Sequence, residues 1–241
     1  DTAYASVEGM MIVTVRKAVP VVSAIPTAAA WVYNPSRSLT DSDLSGGLVT
    51  GVDGNPLEGA WSWEKADIVP TVDNRGYRAV FTPADAGNYE TAVTTVSVTV
   101  AKAVPYVVKL PSAGRITYGD ALNASVLSGG IAQYGNGAGQ PADESGSTEK
   151  VDGTFAWKDG ALKPAAADSG VTGYTVVFMP SDMVNYETAE GEITLEVKKA
   201  DSAPNMPDSV MEVPYSCEKV SDAALPEGWE WQGGGRGIFL E

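Results

Sequence analysis

Histidine is absent from the 241 residues, cysteine occurs once, and 16 basic side chains face 31 acidic ones. Without histidine there is no Ser-His-Asp or Cys-His catalysis and no imidazole-bound metal, and the commonest general base near neutral pH is missing. The lone Cys217 permits no internal disulfide and reads as a tolerated thiol. A net charge of -15 repels phosphate backbones and anionic lipid, which sets nucleic acid aside as a partner. No apolar run approaches the roughly 20 residues of a membrane helix, so no direct membrane insertion is expected, and no helical apolar period persists for three turns. Carboxylate chemistry survives these exclusions. A glycosidase, however, needs two carboxyls flanking a cleft, and the acids here are scattered through turns. No catalytic residue, cofactor or metal is expected.

What the chain does have is repetition. Asn88-Tyr89-Glu90-Thr91-Ala92 returns as Asn185-Tyr186-Glu187-Thr188-Ala189, inside a longer match from Gly76 and Gly173 at a constant offset of 97. An active site is normally built once, whereas a structural module can be stacked. Backward from these strings, Tyr4, Lys17, Ala18 and Pro20 align with Tyr89, Lys102, Ala103 and Pro105 at an offset of 85. Leu44–Gly47 recurs at Leu127–Gly130, Gly59–Trp63 at Gly153–Trp157, and Lys219–Trp231 resembles the early part again. The expected organisation is the last strand of a preceding repeat at 1–17, a first full module at 18–101, a second at 102–199, and the opening portion of a further repeat at 200–241. Between its Leu-Ser-Gly-Gly and its aromatic strand, the second module carries about eleven extra residues, within an inserted loop at 131–150.

Thr94–Val100 alternates Val96, Val98 and Val100 with Thr and Ser, and Glu192–Val197 does the same with Ile193, Leu195 and Val197. Period two with β-branched residues predicts half-buried strands. Tyr77–Phe81 and Tyr174–Phe178 are continuous apolar runs that stop at proline, as suits central strands. Many short strands at turn spacing, in units of this length, predict an all-β fold of tandem immunoglobulin-like β-sandwich modules. Each module runs into a short proline-stiffened junction (Pro20, Pro105, Pro204), which predicts a rod-like array of limited flexibility.

Ile116–Leu122 with its Tyr-Gly, the Leu-Ser-Gly-Gly strings, Gly153–Trp157, the F-x-P-x-D-x-x-N-Y-x-T stretches and the V-x-V-x-K-A ending together resemble the tandem bacterial Ig-like repeats, of MBG or YDG type, in large surface proteins of Gram-positive bacteria. The resemblance covers almost the whole chain; one departure is Pro35, which stands where the second module has Tyr118. It implies an extracellular, cell-wall-associated protein whose modules act as stalk or adhesion domains, monomeric, with a host or matrix protein or a glycan as possible partner. Two rivals stand beside this reading: a carbohydrate- or host-protein-binding module, and accessory repeats of a secreted polysaccharide hydrolase.

Candidate sites are few. Asp41–Gly46 imitates the first half of a calcium loop, but Val52 stands at its twelfth position and the second module lacks the acids. Gly135–Gly139 lacks the spacing of a dinucleotide fingerprint and reads as a loop tip. Trp61 with Trp63, Phe155 with Trp157, and Trp229 with Trp231 lie two apart, so each pair faces one side of its strand. Exposed, they would form a platform for sugar rings; their recurrence in each repeat favours the core. Asp85 and Asp182 suit turn-forming corners, and Tyr89 and Tyr186 suit corner tyrosines that bond backbone. If one site is particular to this chain, the insertion is the place for it, at Tyr134, Asp143 and Glu144, because loops carry function more often than cores do.

Overall fold

Along Tyr77–Pro83 the side chains of Ala79, Phe81 and Pro83 are buried while Arg78 and Thr82 face outward. That strand is the spine of the first module in the computed structural model, which describes residues 8–143 and 146–201. The module's strands are β1 (Val21–Ala24), β2 (Thr27–Ala28), β3 (Trp31–Val32), β4 (Leu44–Ser45), β5 (Leu48–Thr50), β6 (Gly59–Trp63), β7 (Tyr77–Pro83), β8 (Ala92–Val96) and β9 (Val100–Ala101). β6, β7 and β8 form an antiparallel sheet with β7 central. Three short ladders make the facing layer: β1 with β5 and β2 with β4, both antiparallel, and β3 with β9, parallel. The core between them has two adjoining parts. Val49, Phe81 and Ala92 hold Trp61 and Leu57 at one end; Leu39, Val98 and Val100 hold Trp31, Trp63 and Tyr77 at the other. Two rings on one face of β6 thus serve both halves of one core.

The second module repeats the plan with β10 (Tyr106–Lys109), β11 (Ser112–Ala113), β12 (Ile116–Thr117), β13 (Leu127–Ser128), β14 (Ile131–Gly135), β15 (Ser147–Lys150), β16 (Gly153–Trp157), β17 (Tyr174–Pro180), β18 (Ala189–Ile193) and β19 (Val197–Lys198). Phe155 lies opposite Phe178 as Trp61 lies opposite Phe81, with ring centroids 5.0 and 5.3 Å apart. The chain is therefore all-β, with tandem immunoglobulin-like sandwich modules. Among the described residues helical structure is confined to three-residue 3-10 turns at Leu39–Asp41, Leu122–Ala124 and Ala166–Asp168, and no helix is long and apolar enough to cross a membrane. The described residues up to Lys199 belong to one compact unit; Ala200 and Asp201 fall outside it.

Three details depart from the sequence reading. Thr94–Val100 is not one strand: β8 ends at Val96 in one layer and β9 starts at Val100 in the other, so the alternation survives as burial while the chain changes sheet. Residues 131–150 are not a loop, because their two ends are β14 and β15, which pair with each other, and β14 also pairs with β10. The counterpart of Tyr118 is Tyr33 and not Pro35: Tyr33 N–H donates to Ala101 O and Tyr118 N–H donates to Lys198 O, each one residue beyond its parallel ladder.

Candidate functional site: the joint between the modules

The repeated Asn-Tyr-Glu is a clasp. Ala18 N–H donates to Asn88 O at 2.7 Å, and Glu90 N–H donates to Ala18 O at 2.9 Å. In the second module Ala103 and Asn185–Glu187 make the same two bonds, each at 2.9 Å. Each corner therefore grips the Lys-Ala junction through which the chain enters its own module. Aspartate closes the corner: Asp85 accepts from Asn88 N–H and Nδ2 at 3.2 and 2.8 Å, and Asp182 accepts from Asn185 N–H and Nδ2 at 3.1 and 2.8 Å. This is turn chemistry, in which a short carboxylate bonds backbone two or three residues on.

Around this shared frame the two corners differ. Asn88 is exposed and Tyr89 half-buried, with the Tyr89 hydroxyl lying over Gly51, where an added Cβ would come within 2.6 Å of it. In the second module Asn185 and Tyr186 are both 7% exposed; Tyr186 packs in its own module's core with Ala103, Tyr134 and Phe178, and the first module adds to the cover. The Tyr33 ring meets the Tyr186 ring edge-on, with centroids 5.3 Å apart and planes at 84°. Asn185 Oδ1 accepts from Val72 N–H at 2.9 Å, and Lys102 Nζ stands 3.9 Å from Glu187 at the rim. An edge-to-face pair of this kind contributes about 0.5–1.5 kcal/mol beyond the area it buries.

The insertion builds the rest of the joint. Tyr134, at the place in β14 that Gly51 holds in the first module, is only 3% exposed and belongs to the same core as Tyr186, Ala103 and Phe178. Gly137 has φ 78°, and a Cβ there would meet the Tyr134 hydroxyl at 2.6 Å and Val32 Cγ1 of the first module at 3.3 Å. That combination of left-handed backbone and close approach requires glycine. Val104, in the connector, donates to Gly137 O at 2.7 Å and accepts from Gly139 N–H at 2.9 Å, so the connector is bound as a strand. Ser36 Oγ donates to Ser147 Oγ at 3.3 Å across the joint. Burial pushes the phenols of Tyr33, Tyr134 and Tyr186 upward, and nearby carboxylates (Asp182 and Glu149 for Tyr33 and Tyr186, Asp143 for Tyr134) add to the shift; Arg37 works against it at Tyr134.

The residues singled out in the sequence fall as follows. Tyr134 is a buried joint residue and not an exposed ligand-loop side chain, because the strand it sits on carries it inward. Asp143 is exposed, and its backbone carbonyl accepts from Gly146 N–H; Glu144, Trp229 and Trp231 lie outside the described residues. Trp61, Trp63, Phe155 and Trp157 are half-buried, each packed on its module's core. Trp63 and Trp157 donate their indole N–H to Ser42 O at 2.7 Å and Ser125 O at 3.1 Å. Asp41 accepts from Ser38 N–H and caps a 3-10 turn. Among the described residues no three Cys, Asp or Glu side chains gather where they could hold a metal ion. The hydroxyls of Tyr89 and Tyr186 do not supply the backbone bonds of their corners, which the aspartates make. Tyr33, Val72 and Gly137 escaped the sequence reading; an alignment anchored on the Val100/Val197 ladders would have brought out Tyr33, the counterpart of Tyr118.

A depression of about 570 Å³ beside Ser112, Arg115, Leu195 and Glu196 is bridged by its own ion pair, Arg115 Nε to Glu196 Oε2 at 2.7 Å, which leaves no unpaired charge to aim at a substrate. No protein-family model and no curated protein matches the sequence. Among solved structures, a fragment of three titin Ig domains in an E-to-A mutated variant is similar at 13% identity and TM-score 0.29, covering 76% of this chain and 67% of that one. Two titin domains in complex with telethonin are similar at 13% identity and TM-score 0.24, covering 78% of this chain and all of theirs.

Proposed function

We propose that this chain is a non-catalytic structural spacer, a stalk or adhesion segment of an extracellular, cell-wall-associated bacterial protein, whose working part is the joint that fixes one module on the next. The observation that carries the reading is the use made of the insertion. The main surplus of one module over the other encloses the connector and seats Tyr33 and Val32, where a binding module would turn it toward a ligand. A spacer transmits position only if its joints resist bending, and an aromatic contact with a backbone hydrogen bond beside it does so where a bare proline connector of a few residues would not. The acidic surface keeps such an array dispersed. A host or matrix protein, or a glycan, would then be met by whatever the spacer presents.

The test is a graft. Replacing Tyr134–Glu149 with the five residues Gly51–Asn55 gives the second module the first module's short turn. Both modules are expected to stay folded, while backbone relaxation by NMR changes from one common tumbling time to two independent ones. Independent tumbling of the modules in the unaltered chain would defeat the spacer reading.

A further inference from the structure

The sequence contains one Asn-Gly pair, Asn136-Gly137, and the fold places it in the joint. Asparagine followed by glycine is the pair most prone to cyclise on its own backbone, because no Cβ on the second residue shields the amide nitrogen. Here the electrophile is prepared and the nucleophile is withheld. Asn136 Oδ1 accepts from Ala138 N–H at 2.9 Å and from Gln140 N–H at 3.3 Å. Two donors at that oxygen draw electrons from Cγ and are placed to receive the negative oxygen of a tetrahedral intermediate. Gly137, however, is buried, its N–H donates to Tyr134 O at 3.2 Å, and its carbonyl accepts from Val104 N–H at 2.7 Å. The proton that its nitrogen must release to attack is thus bonded and kept from water. The first module has no such pair: in its short turn Asn55 is followed by Pro56, which has no N–H to lose.

We propose that Asn136-Gly137 is a self-modifying site guarded by the closed joint, and that its reaction after the joint opens keeps the joint from closing again. The Gly137 nitrogen gives its proton to water and attacks Asn136 Cγ. The bond from Cγ to Nδ2 breaks, Nδ2 takes up a proton and leaves as ammonia, and a five-membered succinimide remains. Water then opens the ring at one of its two carbonyls, so the net change is one water consumed and one ammonia released. Opening at Cγ leaves an aspartate, whose carboxylate accepts from Ala138 and Gln140 N–H more strongly than the amide did. Opening at the backbone carbonyl leaves isoaspartate, in which the main chain runs through Cβ and Cγ and is longer by one carbon, about 1.5 Å. That carbon displaces Gly137 from Val104, at a place where even a Cβ would lie 2.6 Å from the Tyr134 hydroxyl and 3.3 Å from Val32 Cγ1. The inference deepens the spacer reading and rests on it, because the guard is the same closed joint that fixes one module on the next.

Peptide mass spectrometry on the full chain, incubated in mildly alkaline buffer, tests the proposal. Deamidation at residue 136 is expected to be about tenfold or more slower in the folded, unaltered chain than in the same chain unfolded in urea. Tyr33→Ala with Val104→Pro removes a ring and a backbone donor from the joint, and is expected to bring the rate toward the unfolded one while the modules tumble independently by NMR. Chain carrying isoaspartate at 136, separated by chromatography, is expected to show two tumbling times, whereas Asn136→Asp, which has the ordinary backbone, keeps one. Equal rates in the folded and unfolded chain, a variant that tumbles independently yet deamidates no faster, or a common tumbling time in the isoaspartate chain would each overturn the proposal. Independent tumbling of the unaltered chain defeats the spacer reading itself; a common tumbling time with an unguarded Asn136 defeats this inference alone.

Discussion

The corner at Asn88–Tyr89 and the corner at Asn185–Tyr186 have the same five-residue sequence, the same aspartate bonds and the same grip on a Lys-Ala junction, yet one lies open and the other lies under a neighbour. The hairpins beside the two corners also differ. The offset between modules is 83 at Leu44/Leu127 and 94 at Gly59/Gly153, eleven residues more, and those residues lengthen the hairpin that stands beside the corner. In the first module Leu57 N–H donates to Val49 O across a turn at Gly51–Asn55; in the second, Val151 N–H donates to Ala132 O at the same rung, and the added length carries Tyr134 inward and Gly137 against Val32. A repeated motif thus holds a constant local task in both modules, and in the second a lengthened hairpin beside it helps to seat the neighbouring module.

The largest effect is expected from the ring at the centre of the joint. Tyr186→Ala removes a nearly buried aromatic from a continuous core and should destabilise the second module by about 3–5 kcal/mol. Tyr89→Ala removes a half-buried ring with no neighbouring module over it, and about 1–2 kcal/mol is expected from the smaller area lost. Denaturant unfolding followed separately in each module measures both. Equal losses at the two positions would mean that the cover seen over Tyr186 contributes nothing.

Much of this could be read from the residues. Val96, Val98 and Val100 announce their burial by alternation, Tyr77–Phe81 and Tyr174–Phe178 announce central strands by continuous apolar character, and the paired rings of β6 and β16 announce one shared face. The sheet change between Val96 and Val100 could not be seen, because period two is the same whether a strand stays in one layer or crosses to the other. The insertion was misread for a physical reason as well. Its composition is that of a polar turn, and a single tyrosine in Gly-rich surroundings gives no periodicity; only the ladder with β10 shows that residue 134 points inward. Tyr33 was hidden because the chain between β3 and the Leu-Ser-Gly-Gly string is two residues longer in the first module, so an alignment run back from that string arrives at Pro35.

Alkaline pH should act on the covered corner before the open one. Burial holds the Tyr186 phenol well above its ordinary value of 10.0, and raises Tyr33 and Tyr134 in the same direction. A phenol is neutral when protonated, so a folded-state value above the unfolded one means that the unfolded chain releases its proton first as pH rises. The stabilisation from these groups is complete below pH 10 and is lost progressively above it. Between about pH 10 and 11 the second module should lose stability faster than the first, and Tyr186→Phe should flatten that slope. Urea midpoints at stepped pH measure it, and parallel slopes in the two modules would remove the tyrosine cluster from the account.

The smallest and sharpest comparison uses the two asparagines. Asn88→Ala and Asn185→Ala each delete a side-chain bond to the corner aspartate, Asp85 or Asp182, at the same 2.8 Å, so that part of the loss is common. Only at Asn185 does the side-chain oxygen also accept from the first module, at Val72 N–H. Removing it leaves a half-buried donor without its partner, which costs about 1–3 kcal/mol when water cannot reach the donor and less when it can. The difference between the two substitutions should therefore be about 1 kcal/mol, seen as a larger loss for Asn185→Ala. Amide exchange at Val72 provides an independent readout, because its protection comes from a side chain 113 residues away and should fall in Asn185→Ala while staying unchanged in Asn88→Ala. A Val72 amide that exchanges equally fast in all three chains would show that the hydrogen bond across the joint is not maintained, and the first module would then rest on the second through Tyr33 and the hairpin alone.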